Sequence, residues 1–478
     1  MVSDTHTHTP LVALTIGRLV VIEPGYPEDL RRAVRRRFSL ANPAYLDALK
    51  FDRDTRDLPA HLLYYDVRPD GALIVPRGAL ELVYRDCLAL GLEPRWTDGT
   101  HVAAAVAFDE RITLADAQER AVDAALGRRM GVLEAPAGSG KTIMAMALIA
   151  RRRQRTLVIV HTRELAAQAI ARAVAVLGLD EGEIGLVGDG CCTIGEHLTV
   201  ALVQTLARGI PPALLDVGHL VVDEAHHIAA AQMADVVSQF PARYVTGLTA
   251  TPFRRDKLDQ VIFWHLGPIV ATIDKEDLAD RLITPRILKR DTGVRVAGDS
   301  FTELVSTLVG DMERNRLIVA DVAAAARAGR RCLVLSERVG HVEQLTAMLE
   351  AAGVAVAALH GHLPKRERAA VVGATNAGEL EAVVATISLV AEGVDVPRLD
   401  ALFLGTPMSY GGRVTQALGR ISRTAPEKTD AVVYDYVDAH PMLFASYRNR
   451  KGVYMAQGCA IATSPASPAV AIRPRRSA

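Results

Sequence analysis

Residues 131–153 read GVLEAPAGSGKTIMAMALIARRR, and the fold of the chain can be worked out from this stretch. It opens on a short apolar run of the kind that makes a buried strand and closes on apolar residues at helical spacing. Between them stands EAPAGSGKT, residues 134–142. In a strand–loop–helix context, the backbone N–H groups of Gly138, Ser139 and Gly140 wrap a phosphate at a helix N-terminus. Ala135 and Ala137 complete the loop, with Ala135 where the standard pattern has its first glycine. Lys141 reaches the β- and γ-phosphates as a point charge, and the Thr142 hydroxyl is placed for Mg²⁺. A glycine-rich turn beside a surface lysine is the plain alternative. Composition weighs against it: the chain has eight lysines against 47 arginines, so a lysine at this position carries more weight than in a lysine-rich chain.

Outward from this loop the pattern repeats. Between about 112 and 275, apolar runs at 131–135, 156–160, 198–202, 219–223 and 244–250 alternate with helical segments such as ELAAQAIARAVAVL (164–177). Nearly all-apolar strands alternating with helices predict a parallel sheet covered on both faces. A second such series follows the polar stretch RDTGVRVAGDS (290–300), with strands expected at 331–336, 354–361, 382–388, 401–405 and 431–437. Ahead of both, LVALTIGRLVVIE (11–23) reads as a strand, and Leu30–Phe38 carries Arg31, Arg32, Arg35, Arg36 and Arg37. Then HLLYYDV-RPDG-ALIV (61–75) reads as two strands about a turn, and 78–90 as a helix. The expected organisation is a small α+β domain over 1–111, two α/β units over 112–289 and 290–455, and a disordered tail rich in Ser, Pro and Ala over 456–478.

Composition sets the outer limits. At about 150 residues per domain, 478 residues suggest three domains. Half of them are apolar and 23% charged, a globular composition. The 55 basic and 55 acidic residues leave no net formal charge, which excludes a polybasic binder but leaves room for a local basic groove. Five cysteines without a C-x-x-C pair argue against a disulfide framework and a structural metal. The absence of an 18-residue apolar run and of a signal-like start in MVSDTHTHTP leads to the expectation of a cytoplasmic protein with no membrane partner. The richness in Ala and Arg suits a GC-rich bacterial or phage genome.

The natural partner of the loop is HLVVDEAHH (219–227). Four largely apolar residues end in two carboxylates, which puts Asp223 and Glu224 at the C-terminal end of a strand, where α/β sheets bind ligands. Asp223 is the candidate Mg²⁺ ligand and Glu224 the candidate general base for an attacking water. Together the two segments predict hydrolysis of ATP or GTP with Mg²⁺.

What the hydrolysis drives is indicated by further segments in a fixed order: VHTRELAAQ (160–168), VQTL (203–206), GLTATP (247–252), ATISLVAEGVDVP (385–397) and QALGRISR (416–423). With the loop and the DEAH run, they resemble the ordered motifs of superfamily 2 helicases and translocases over residues 112 to 440. The resemblance is greatest to the DEAH-type DNA helicases related to type I and III restriction motors, XPB and phage UvsW; GLTATPFRRDKLD…HLGPIV (247–270) is especially similar to that group.

The resemblance implies two tandem RecA-like parallel-sheet lobes behind the α+β accessory domain, and a nucleic-acid-stimulated ATPase. Gln118 would read the adenine, and Gly393 and Asp395 would close the site near the ribose. Thr249 and Thr251 would couple the nucleotide to lobe movement. Gln416, Arg420 and Arg423, spaced i, i+4 and i+7, would share a helix face, Gln416 orienting water and the arginines acting on the γ-phosphate. Thr162, Arg163, Gln204, Thr205, Ser336, His360, Gly361 and Thr386 would meet the nucleic-acid backbone, without reading sequence.

NPAY (42–45) and LIVPRG (73–78) are similar to accessory domains ahead of bacterial and phage helicases of this group, which suggests DNA recognition or protein partners there. The Arg31–Arg37 run reads equally well as a duplex grip or as a solvated helix face. Phe253, Arg254, Arg255 and Asp256 stand where XPB-like proteins have an Arg-Glu-Asp insertion, and no nuclease constellation accompanies the motor. The expected partner is DNA, single-stranded or branched. Open alternatives are a double-strand translocase, an RNA helicase, and a nucleotide-gated DNA-binding subunit of a restriction or defence complex.

Overall fold

The computed structural model describes residues 10–136, 138–229, 231–250, 258–274, 276–278, 282–391, 396, 398–408, 411–425 and 428–464. They form two compact units, one of residues up to 135 together with 140–274, the other of residues 136–139 together with those from 275 onward.

The first unit begins with a five-stranded sheet. Strands β1 (Leu11–Ile16) and β2 (Leu19–Ile22) make an antiparallel hairpin, so the run read as one strand is folded in two at Gly17, whose N–H donates to the Leu19 carbonyl at 2.9 Å. A short separate pair follows, β3 (Ser39–Ala41) with β4 (His61–Leu63). The main sheet is completed by β5 (Asp66–Val67), β6 (Leu73–Pro76) and β7 (Glu93–Asp98), in the order β5-β6-β2-β1-β7. Its core of Leu14, Ile22, Leu30, Val34 and Leu73 is continuous with Trp264, from the helix Asp259–Leu266 farther along the unit. Phe38 and Tyr64 pack on that indole at centroid distances of 5.0 and 5.3 Å. Contact is so close that a Cβ on Gly78 would collide with the backbone of Phe263 and Gly267.

The rest of this unit is an eight-stranded sheet of β8 (Met130–Glu134), β9 (Thr156–Val160), β10 (Gly185–Gly188), β11 (Cys191–Cys192), β12 (Leu198–Leu202), β13 (His219–Val222), β14 (Tyr244–Thr249) and β15 (Ile269–Thr272). The order is β11-β10-β12-β9-β13-β14-β8-β15, parallel except for the β10–β11 hairpin. Burial of β9, β12 and β13 along their whole lengths accounts for their unbroken apolar runs. Val132, Leu157, Ile159, Leu220, Val222 and Val245 form the centre of one face.

The second unit holds a wholly parallel seven-stranded sheet: β16 (Arg286–Arg295), β17 (Cys332–Ser336), β18 (Val356–Leu359), β19 (Ala382–Thr386), β20 (Ala401–Leu404), β21 (Val432–Ala439) and β22 (Ile461–Ser464). Its order is β18-β19-β17-β20-β21-β16-β22. Two segments differ from the sequence reading. The polar stretch from 290 includes the end of β16, because its neighbours β21 and β22 supply backbone partners that its composition does not advertise. Ile461–Ser464, read as tail, pairs in parallel with β16 as an edge strand.

Three arginine–aspartate pairs are buried in this unit. Arg450 Nη2 lies 2.7 Å from Asp435, which also accepts from the Tyr454 hydroxyl at 2.8 Å. Arg314 Nε donates to Asp438 at 2.9 Å, and Arg290 Nε to Asp321 at 2.9 Å. They explain how β21 carries two carboxylates through a core. Removing one partner of such a pair strands a charge, at about 3–5 kcal/mol. Arg450→Met is therefore expected to destabilise the second unit by about that amount, read as a lower denaturant midpoint in a probe local to residues 282–464.

Candidate functional site

In the first unit the chemistry gathers where parallel strands end. The glycine loop leaves β8, and helix Lys141–Arg152 follows with Gly140 as its N-cap residue. Gly138 and Gly140 have φ of 86° and 84°, values that side-chain-bearing residues avoid. A Cβ on Gly140 would also meet the Gln118 amide nitrogen at 2.7 Å, so the loop and Gln118 are held in close register. Gln118 is buried, and its Oε1 accepts the Ala115 N–H at 2.8 Å. Ala135 is buried and its N–H donates to the Thr249 carbonyl at 3.0 Å. The Ser139 N–H donates to the Pro136 carbonyl, and Lys141 Nζ donates to the Ala135 carbonyl at 3.1 Å. Thr142 is partly buried at the start of the helix. Ala137 lies outside the described residues.

Asp223 and Glu224 follow β13, separated from β8 by one strand, β14, which ends in the buried Thr249. Glu224 takes a φ of 48°, one of four described non-glycine residues with positive φ. That conformation costs about 1–2 kcal/mol and persists where surrounding structure dictates it. The Glu224 N–H donates to Asp223 Oδ1 at 2.9 Å. Burial, then the neighbouring Glu224 charge, push the Asp223 carboxyl above its ordinary range. Burial also opposes ionisation of Glu224, but His226, with Nδ1 3.3 Å from Oε2, and the Lys141 charge outweigh it, and Glu224 stays below its usual range. Two adjacent carboxyls thus differ in proton affinity, the separation that acid–base chemistry uses. A hydroxyl and a carboxylate at the loop, Thr142 and Asp223, are the hard oxygen donors that Mg²⁺ takes, and the glycine cradle fits a triphosphate.

Thr162 and Arg163 follow β9, the other neighbour of β13. The Thr162 hydroxyl caps helix Arg163–Leu177 by accepting from Leu165 N–H at 3.2 Å. Arg163 is exposed and 2.8 Å from Asp189, at the turn of the β10–β11 hairpin. Gln204, exposed just after β12, donates to the His161 carbonyl at 2.8 Å, and Thr205 is partly buried beside it. Thr251 and the 253–256 segment lie outside the described residues.

The second unit repeats this arrangement at its own strand ends. Ser336 closes β17 opposite Thr386 on β19, and His360 and Gly361 follow β18. Gly361 is exposed, Thr386 is buried, and the buried His360 lies 3.7 Å from Glu343. Ser336 is wholly buried, and its hydroxyl donates to His341 Nδ1 at 2.9 Å. Gln416 and Arg420 lie on helix Gly411–Ile421. Arg423 lies beyond that helix, which ends at Ile421, and forms a β-bridge with Leu282. The Ser422 carbonyl accepts from Ile283 N–H at 2.6 Å. Gly393 and Asp395 lie outside the described residues.

Residue-by-residue reading missed His161, His226, Asp189 and His341. Only His226 left a signal, two residues beyond Glu224 in the DEAHH run. His161 and Asp189 reach their partners through strand order, and His341 through the packing of its helix on Asn315 and Ser336.

A glycine loop and a carboxylate pair on one largely parallel sheet, with a second parallel sheet after it, define a protein of two RecA-like lobes, the first carrying a P-loop. Residues 111–254 match the family described as type III restriction enzyme, res subunit, and residues 315–425 match the helicase conserved C-terminal domain. A mimivirus protein named as an ATP-dependent RNA helicase is 24% identical over 343 residues, 68% of this chain and 63% of that protein. The protein named DNA 3'-5' helicase XPB of Kineococcus radiotolerans is 28% identical over 437 residues, 86% of this chain and 75% of that one. Among solved structures, Saccharomyces cerevisiae Dbp5 bound to RNA and ADP BeF3 has a TM-score of 0.57 at 16% identity, covering 74% of this chain and 90% of that one, a likeness of fold. This chain belongs to the superfamily 2 helicases, an ATP-dependent family that includes XPB-like helicases and restriction-enzyme motors. It spans less than two-thirds of the mimivirus relative.

His341 yields a pH prediction. Burial, then the Arg314 charge, lower its pKa from 6.5 to about 4. Its Nε2–H donates to Asn315 Oδ1 at 2.9 Å, while Nδ1 accepts from Ser336. The unfolded chain takes up a proton between pH 6.5 and 4 that the folded ring refuses. Stability therefore falls as pH drops through that window, by up to about 3 kcal/mol from this group. Unfolding midpoints measured from pH 7 to 4.5 should fall less steeply in His341→Gln.

Proposed function

We propose that this protein is a DNA-stimulated ATPase whose turnover drives translocation along DNA or its unwinding, in repair, recombination or phage and defence processing. One observation carries the reading. The strand ends that bear Lys141, Asp223 and Glu224 adjoin those that bear Thr162, Arg163 and Gln204 on a single sheet edge. Change at the nucleotide therefore has a short, stiff route to the residues suited to a phosphodiester backbone. The choice of DNA is supported by the XPB relative, whose likeness spans most of the chain. The RNA-named mimivirus relative keeps an RNA track as the second reading.

In this reading ATP lies on Gly138, Ser139, Gly140, Lys141 and Thr142, with Gln118 at the adenine. Mg²⁺, held by Thr142 and Asp223, would offset the phosphate charge. Ionised Glu224 orients and deprotonates the attacking water, with His226 holding the carboxylate in place. The second lobe supplies Gln416, Arg420 and Arg423 for the γ-phosphate. Thr249 and Thr251 couple nucleotide state to movement, and Gly393 and Asp395 close on the ribose. Thr205, Ser336, His360, Gly361 and Thr386 extend the nucleic-acid track.

ATP turnover measured alone and with single-stranded, duplex or forked DNA, or RNA, tests this. One DNA form should stimulate strongly; no stimulation by any of them would refute the motor reading, and stimulation by RNA alone would shift the track. Lys141→Ala should abolish turnover while DNA binding persists, and Glu224→Gln should lower turnover by about 10²–10⁴ with ATP binding retained. DNA affinity should fall steeply with added salt as counterion release is lost; a flat response would exclude backbone tracking.

A further inference from the structure

One residue of the first unit touches both the nucleotide side and the nucleic-acid side, and the roles assigned above leave it out. His161 is the first residue after β9. β9 lies beside β13, with Ile159 opposite Val222, and the Asp223 N–H donates to the Ile159 carbonyl at 3.1 Å. The ends of these two strands are thereby locked side by side, His161 on one and Glu224 on the other. The His161 carbonyl accepts from Gln204 Nε2 at 2.8 Å, and the next two residues are Thr162, the helix cap, and Arg163. Its imidazole is partly buried and interacts electrostatically with Glu224 and with His226. Within a single residue, the backbone carbonyl accepts from Gln204 while the side chain stands at the end of the strand beside the one that leads into Glu224.

We propose that His161 is a positioning residue that transmits occupancy of the Thr162–Arg163–Gln204 track to Glu224, so that nucleic-acid binding raises the rate of ATP hydrolysis. The inference rests on the motor reading above. A backbone phosphate drawing on Arg163 or Gln204 moves the His161 peptide, because Gln204 is bonded to its carbonyl and Arg163 is two residues away. The ring moves with the peptide. Glu224 has a backbone fixed in the left-handed region, and its mostly buried carboxylate takes its orientation from the groups around it, His226 Nδ1 at 3.3 Å among them. Burial disfavours the charged imidazole. Lys141, Asp223 and His226 are the other charged or titratable groups acting on Glu224.

The test compares the full chain with His161→Ala and His161→Asn. The measurements are ATP turnover with and without the stimulating DNA, KM for ATP, and DNA affinity. His161→Ala should lower the ratio of stimulated to basal turnover by about tenfold, inside the range typical of coupled sites. KM for ATP and DNA affinity should stay within about twofold, a split that general loss of structure would not produce. His161→Asn, which keeps a polar head in the same place, should recover part of the ratio and carries the test if the alanine variant does not fold. Wild-type stimulation with an unchanged ratio in the variants overturns this inference alone. A wild-type protein that no nucleic acid stimulates overturns the motor reading, and this inference with it.

Discussion

The constraint on which the first unit depends is that β8, β14, β13 and β9 run parallel and end side by side. Parallel strands present their C-terminal ends at one edge, where loops are free of ladder hydrogen bonds and helices begin. At that edge the glycine loop, Thr249, the Asp223–Glu224 pair and the His161–Arg163 segment occupy four consecutive places. Each is held by a strand buried over most of its length, so the loops inherit the stiffness of the sheet. One strained feature is tolerated there, the left-handed Glu224, while the two positive-φ positions of the loop are taken by glycines, which adopt them without strain.

Much of this was legible because a buried parallel strand announces itself. TLVIV, LTVAL and HLVVD needed no partner to be recognised, and the strand–loop–helix around Lys141 fixed its own geometry through glycine. Strand order was not legible. Nothing in the spacing of 161 and 224 says that β9 and β13 are neighbours, so the proximity of His161 to Glu224 had no signature in the chain. Arg423 is a similar case. The periodicity of QALGRISR continues past the helix end at Ile421, and the bridge between Arg423 and Leu282 has no mark in it. The tail residues that become β22 likewise take their conformation from β16.

The second lobe shows the reverse case, in which composition misleads. Asp435 and Asp438 sit in a strand buried almost throughout, where isolated carboxylates would not be stable. Arg450 comes from the helix Pro441–Ala456 and Arg314 from Met312–Arg327, so each charge is met by a guanidinium from a different helix. Such pairs add little net stability over an apolar core. They do fix one register of helix on strand, since a slip of one residue would leave both partners uncompensated. Part of the chain's large stock of arginine is thus committed to architecture.

That commitment bears on how a chain with no net charge can hold a polyanion. On helix Glu28–Arg37, Arg31 lies 3.4 Å from Glu28, Arg32 2.6 Å from Asp29, and Arg37 Nε 2.7 Å from Asp86, while Leu30 and Val34 are buried. Three of the five arginines of this run are neutralised locally, as on a solvated helix face, leaving Arg35 and Arg36 exposed. Arg163 differs in kind. Its pair with Asp189 is made to a hairpin turn, with the arginine 68% exposed, and exposed pairs contribute only about 0–1 kcal/mol. A phosphate oxygen can replace that carboxylate at small cost, and the hydroxyl and amide groups beside it at the sheet edge need no charge at all. On the proposed motor reading, affinity for a backbone would arise from a few exchangeable contacts at strand ends, and overall neutrality would be no obstacle to it.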